Sequence, residues 1–321
     1  MSTQVKHNPI EAILRSHATV ILDGALATEL ESHGCDLDDP LWSARILIEN
    51  PGAISAVHTD YFRAGADCAI TASYQATVEG FGKRGIGEEE AIGLIKQTVF
   101  LAKEARDSFW DEEGSRDKGR HKPFVAASVG PYGAYLADGS EYRGDYGISK
   151  EELAAFHRPR IQALVEAGAD VLAFETIPSF EEAEVVVSLL NENPGVYAWL
   201  SFSLRDGSRI SDGTRVADCA LAFKDIEQIA AIGVNCAPIP EATEAVKILH
   251  QHTDQPIIVY PNSGETYDAE TKTWHGEEAC GSFIDQSDAW FEAGAKIIGG
   301  CCRTGPSHIQ DLSDKWRKRE K

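Results

Sequence analysis

Positive charge is scarce in this 321-residue chain. Only 30 Lys and Arg stand against 51 Asp and Glu, a formal net charge of −21. A surface of that sign repels phosphate backbones, so nucleic acid is not expected as a partner. It keeps the protein soluble and only mildly favours a cationic substrate. Long apolar runs are missing too. No stretch approaches the ~20 apolar residues that span a bilayer. Met1 to Pro9 is polar where a secretory leader would carry an apolar core. No membrane partner is expected, and the chain reads as cytoplasmic with reduced thiols. The seven cysteines are odd in number and cannot all pair. No long arm or tail suggests obligate assembly, so a monomer is expected.

What is present is a repeated alternation. Apolar, β-rich runs fall at Thr19–Asp23, Cys68–Ser73, Phe124–Val129, Val171–Glu175, Ala198–Ser203, Ile232–Asn235, Ile257–Tyr260 and Lys296–Gly300. Helical patterns separate them at Ile54–Ala64, Glu88–Trp110, Lys150–Ala167, Phe180–Asn191, Ala217–Ala230, Pro240–Gln251, Cys280–Ala293 and Pro306–Lys318. A strand followed by a helix, repeated around the chain, predicts an α/β fold, a single (β/α)8 TIM barrel of parallel strands. We expect the barrel to span residues 10–321, after a short polar tail at 1–9. Three helix ends read alike: Ala64-Gly65-Ala66-Asp67, Ala167-Gly168-Ala169-Asp170 and Ala293-Gly294-Ala295-Lys296. Glycine stops a helix there, because it enters the left-handed conformation cheaply. The connections at Ala137–Gly147 and Arg205–Arg215 follow strands three and five, which makes them candidates to cover a site.

Function in such a barrel sits at the carboxyl ends of the strands. Those ends carry Asp23, Thr71 to Gln75, Ser128 to Gly133, Glu175-Thr176, Asn235-Cys236, Asn262-Ser263-Gly264 and Cys301-Cys302. Adjacent cysteines bridge each other only with strain. Cys301 and Cys302, freed by Gly299 and Gly300, suit a soft metal instead. Cys236 ends strand six, two strand spacings or about 10 Å away, so inward side chains from both ends can converge. Three thiolates leave one place open on tetrahedral zinc, the mark of a catalytic site. Cys35, Cys68, Cys219 and Cys280 are poorly placed to complete an iron–sulfur cluster. The bland alternative is that each cysteine is a small buried hydrophobe. His250-x-His252 precedes strand seven, on the opposite face. No histidine ends a predicted strand, which weighs against a zinc hydrolase.

These residues resemble the zinc-dependent homocysteine S-methyltransferases, and within them the branch that uses S-methylmethionine or S-adenosylmethionine. The likeness covers nearly the whole chain. It is carried by Asp23-Gly24-Ala25-Leu26-Ala27-Thr28-Glu29-Leu30, Thr71-Ala72-Ser73-Tyr74-Gln75, Phe174-Glu175-Thr176, Gly233-Val234-Asn235-Cys236, Tyr260-Pro261-Asn262-Ser263-Gly264-Glu265 and Gly299-Gly300-Cys301-Cys302-Arg303-Thr304. The resemblance implies that Cys236, Cys301 and Cys302 hold one Zn2+, with the sulfur of homocysteine as fourth ligand. It implies that Glu175 holds the substrate amino group, that Asp23 makes a second polar contact, and that Thr71, Tyr74 and Trp42 line the pocket. The betaine-using branch carries more aromatic residues after strand two than Ser73-Tyr74-Gln75 here.

The chemistry fits these residue types. A thiol is a poor nucleophile, and a Lewis acid makes it a thiolate. A sulfonium donor is already activated and needs no general acid. Tyr74, Tyr132 or Trp42 offers a cation–π face to it, worth about 0.5–2 kcal/mol each. Glu175 either meets a substrate ammonium or pairs with Arg303. Asp23 either binds substrate or caps a turn. Asn262 and Ser263 either reach a substrate carboxylate or form a tight polar turn. The expected reaction is methylation of L-homocysteine to methionine. A selenocysteine methyltransferase of the same mechanism is an alternative, and so is a non-catalytic zinc-thiolate protein that senses redox state.

Overall fold

A computed structural model describes residues 7–37, 43–117, 119–264, 266–268, 273–275 and 283–318. Trp42, Glu265 and Cys280 lie outside the described residues. Eight parallel strands form the main sheet: β1 (Val20–Ile21), β2 (Cys68–Ile70), β3 (Phe124–Val129), β4 (Val171–Ile177), β5 (Tyr197–Phe202), β6 (Ile229–Asn235), β7 (Ile257–Tyr260) and β8 (Ala295–Ile298). They hydrogen-bond in the order β1-β8-β7-β6-β5-β4-β3-β2, with helices outside. This is the nearly closed (β/α)8 barrel that the alternation predicts.

Period two along each strand explains the two sides of the sheet. Val20, Leu22, Cys68, Phe124, Ala126, Val171, Ala173, Trp199, Ala231, Ile258 and Ile297 pack together inside. Their neighbours Ile21, Val125, Leu172, Phe174, Ala198, Leu200, Ile232, Val234, Ile257 and Ile298 face the helices. The first helix, Pro9–Leu14, adds Ile10 and Ile13 to the inner cluster. Its six residues are too few for a periodic signal, and the sequence reading passed over it.

β1 and β2 share no ladder. One backbone bond and two aspartate side chains join them instead. Asp67 N donates to Ile21 O at 2.7 Å, and Asp67 Oδ2 accepts from Ile21 N at 2.8 Å. Further up the seam, Asp23 Oδ2 accepts from Ile70 N at 2.8 Å. Asp170, the counterpart of Asp67 in the repeated helix ending, accepts from Val125 N at 2.8 Å. Gly65, Gly168 and Gly294 all adopt positive φ, as those endings require.

Most element ends shift by one to three residues, and the largest difference lies before β6. The helix expected over Ala217–Ala230 runs only over Val216–Phe223, and β6 starts at Ile229 rather than Ile232. Ile229-Ala230-Ala231 suits a helix by propensity. A strand covered on both faces also reads as an unbroken apolar run, and here the sheet wins.

Candidate active site

The three cysteines named from the sequence come together. Cys236 Sγ lies 3.7 Å from Cys302 Sγ, and Cys301 Sγ lies 4.0 Å from Cys302 Sγ. Zinc held at about 2.3 Å from each of several sulfurs in a tetrahedron requires edges of about 3.8 Å. The donor set and its spacing therefore fit that metal. The local backbone is built for this convergence. Cys236 adopts φ 52°, a conformation unfavourable for a residue with a Cβ, and so turns off the end of β6. A Cβ on Gly300 would lie 2.2 Å from Thr304 Oγ1, so only glycine fits before the pair. Shared contacts with Cys301 and Cys302 hold the Cys236 thiol well below its usual range. The same contacts with Cys236 push the other two up.

Beside the sulfurs, the inward positions at the top of the strands are polar. Ser128, Glu175, Ser201, Asn235 and Tyr260 are all buried. Ser128 Oγ donates to Glu175 Oε1, and Tyr260 Oη lies 3.1 Å from Glu175 Oε2. Tyr260 Oη also accepts from Trp199 Nε1 at 3.0 Å and lies 2.6 Å from Ser201 Oγ. Asn235 Oδ1 accepts from Ser201 Oγ and Thr176 N, each at 2.8 Å. Among the described residues Glu175 makes no ion pair, and Arg303 does not neutralise it. Burial raises its pKa to about 7, against the lowering effect of Ser128 and Tyr260. Of this ring only Glu175 was singled out as a site residue. Period two, applied one step beyond the apolar part of each strand, would have found Ser128, Ser201, Asn235 and Tyr260.

Asp23 links two strands through Ile70 N, a role not weighed for it from the sequence. Oδ2 stitches the seam, while Oδ1 is buried with no partner. Burial pushes its pKa well up, and the nearby Glu175 charge adds to that. Asn262 Oδ1 and Ser263 Oγ are likewise buried without partners. They sit against the cysteine pair, since Ser263 N donates to Cys302 O at 3.1 Å. Thr71 Oγ1 lies 2.7 Å from Ser73 Oγ and accepts from Ser128 N at 3.1 Å, which ties β2 to β3. The Tyr74 ring lies over Gly130, where a Cβ would come within 2.7 Å of it. Tyr132 is not at the sulfurs. Its ring packs among Tyr135, Tyr146 and Phe156. Tyr142, unforeseen in the sequence, places Oη 3.4 Å from Cys236 Sγ. His252 ends a helix on the other face, with Nδ1 2.8 Å from Ile248 O. Among the described residues, Glu29, His33 and Asp60 form a second ligand-type group, part-exposed on two outer helices.

A profile of the family described as homocysteine S-methyltransferase matches residues 20–316. The chain belongs to the homocysteine S-methyltransferase family. It is 58% identical over 306 residues to homocysteine S-methyltransferase YbgG of Bacillus subtilis, covering 95% of this chain and 97% of that one. It is 51% identical over 308 residues to the homocysteine S-methyltransferase of Escherichia coli, covering 96% and 98%. The crystal structure of the E. coli homocysteine methyltransferase MmuM in its metallated form superposes with a TM-score of 0.87, at 48% identity, over 96% of this chain and all of that one. As a homocysteine S-methyltransferase, the chain is an enzyme and transfers a methyl group to the sulfur of homocysteine. No helix among the described residues is long and apolar enough to cross a membrane.

Proposed function

We propose that the enzyme works as a zinc-dependent monomer and takes its methyl group from a sulfonium, S-methylmethionine first and S-adenosylmethionine second. The observation that carries this reading is the cluster of three sulfurs beside two buried carboxyl groups that no cation among the described residues neutralises. Zinc held by Cys236, Cys301 and Cys302 supplies the Lewis acidity that keeps an acceptor sulfur unprotonated. Its fit rests on the sulfur spacing. It is supported by the metallated form of the E. coli relative.

The remaining tasks fall to the chain itself. Glu175 receives the substrate ammonium, whose opposite charge offsets the desolvation that raises its pKa. Asp23 Oδ1 offers a second acceptor to the same ammonium. Asn262 Nδ2 and Ser263 Oγ serve the substrate carboxylate from the end of β7. Thr71 and Tyr74 wall the pocket from β2, and Trp42 is assigned to the same wall by resemblance. With the amino acid pinned at both ends, the sulfur lone pair attacks the methyl carbon in line. The bond from that carbon to the sulfonium sulfur breaks, and its electron pair leaves on a neutral thioether. A negative and a positive charge cancel, so no proton has to move. Alignment of the three atoms is the main catalytic contribution, worth up to roughly 7–11 kcal/mol in ideal systems.

The test is an assay of the zinc-loaded protein with homocysteine and each of S-methylmethionine, S-adenosylmethionine and betaine. Methionine formation with a sulfonium, lost on chelation and restored by zinc, is expected. Turnover that survives complete zinc removal, or that occurs with betaine alone, would overturn the reading.

A further inference from the structure

The segment after β3 brings one more side chain to the sulfurs. Tyr142 closes the 3-10 turn Ser140–Tyr142, and its Oη is 3.4 Å from Cys236 Sγ. The segment is strapped down on several sides. Ser203 Oγ, just beyond β5, donates to Glu141 O at 3.0 Å. Gly144 has φ 80°, and a Cβ there would lie 3.0 Å from Pro178 O, so this backbone rests on the residue after β4. Tyr146 Oη donates to Glu182 Oε2 at 3.0 Å. Glu182 is fully buried, accepts from Tyr132 N at 2.6 Å and lies 2.8 Å from His157 Nε2. The same carboxylate thus grips both ends of the segment, and the backbone that carries the part-exposed Tyr142 is held in place by the fold. These straps argue against reading Ala137–Gly147 as a loose lid.

Chemistry fixes the direction of the contact. A sulfur that serves as a metal ligand is a thiolate and has no proton to give. A phenol at neutral pH has one. We propose that Tyr142 is a positioning residue that donates its O–H to the Cys236 thiolate, orienting that ligand and drawing charge from it. The proposal rests on the zinc reading above and deepens it. Cys236 is the ligand that most needs such support. It comes from a different strand than the adjacent pair, and its backbone is held at φ 52°. Groups that hydrogen-bond to metal ligands hold them in place and tune them.

Tyr142→Phe removes Oη and keeps the ring. Wild type and variant are loaded with cobalt(II), and the thiolate-to-cobalt charge-transfer absorption is recorded. Wild type is expected to bind one equivalent with a thiolate band. In Y142F that band should move to lower energy, because a sulfur without its hydrogen bond gives up electron density more readily. Competition with a chromophoric chelator should show zinc bound about tenfold more weakly, the lower end of the effect of such neighbours. The band decides. An unshifted band in Y142F overturns the role of Tyr142 while leaving the zinc reading intact. Wild type without a thiolate band overturns the zinc reading, and the role of Tyr142 with it.

Discussion

Two pairs of acids stand at opposite ends of the same barrel, and their partners differ. At the amino-terminal end, Asp67 is paired with Arg317, and Asp170 with Arg106 at 2.9 Å. At the carboxyl end, Asp23 and Glu175 are buried and have no cation among the described residues. Asp67, Asp170 and Asp23 each accept a strand N–H, so holding backbone is common to both ends. The difference lies in the charge. At the base, where Asp67 and Asp170 serve the fold, the fold supplies an arginine to each. An uncompensated buried carboxylate costs stability, and it makes sense where a cation arrives with the substrate.

The comparison can be sharpened from the largest effect downward. Cys236→Ser should lower methyl transfer by orders of magnitude and weaken zinc binding, with the barrel still folded by circular dichroism. Full turnover after stoichiometric loss of zinc would break the link between the rim and its chemistry. Glu175→Gln keeps the shape and removes the charge. It should raise the KM for homocysteine about 10- to 100-fold, the range of a lost hydrogen bond to a charged group. Its stability should change in the opposite sense to its activity. The folded-state pKa of Glu175, about 7, lies above the ordinary 4.5. Its contribution to folding is therefore full below pH 4.5 and lost as pH rises through 7. The melting temperature of ligand-free E175Q should gain on wild type between those values, and a constant difference would contradict this account. The smallest effect on catalysis belongs to the base. Asp67→Asn should cost about 1.5–3 kcal/mol of stability, the range of a lost hydrogen bond to a charged group, with KM and kcat close to wild type. A large change in KM would erase the contrast between the two ends.

Much of this was legible in the residue order. Strand-helix alternation identified the barrel, and the repeated Ala-Gly-Ala ending marked true left-handed turns at Gly65, Gly168 and Gly294. Cys236, Cys301 and Cys302 were read as one cluster because two strand ends separated by one neighbour both carried thiols. The polar ring of Ser128, Ser201, Asn235 and Tyr260 was visible only in part. Each shares the parity of the inner apolar residues of its strand, but that parity names a face only once the inner side of the sheet is known. The boundary of β6 was misplaced because alanine suits either structure and only covering layers decide. Tyr142 lay beyond reach. It sits 94 residues from Cys236, and a connection of irregular backbone carries no period from which its direction can be read.

Local chemistry was enough to establish the order of the eight barrel strands and the end of the barrel where the three cysteines meet. Periodicity, glycine placement and side-chain donor type are properties of short stretches. Which acids would be neutralised and which would be left bare was decided in three dimensions. Asp23 and Asp67 look alike in sequence, each at an edge of a strand and each holding a backbone N–H. Only closure of the barrel brings Arg317, from the far end of the chain, to Asp67 and turns Asp23 toward Glu175. Long-range electrostatics follows from distance in space, and residue order fixes that distance only once the chain has folded.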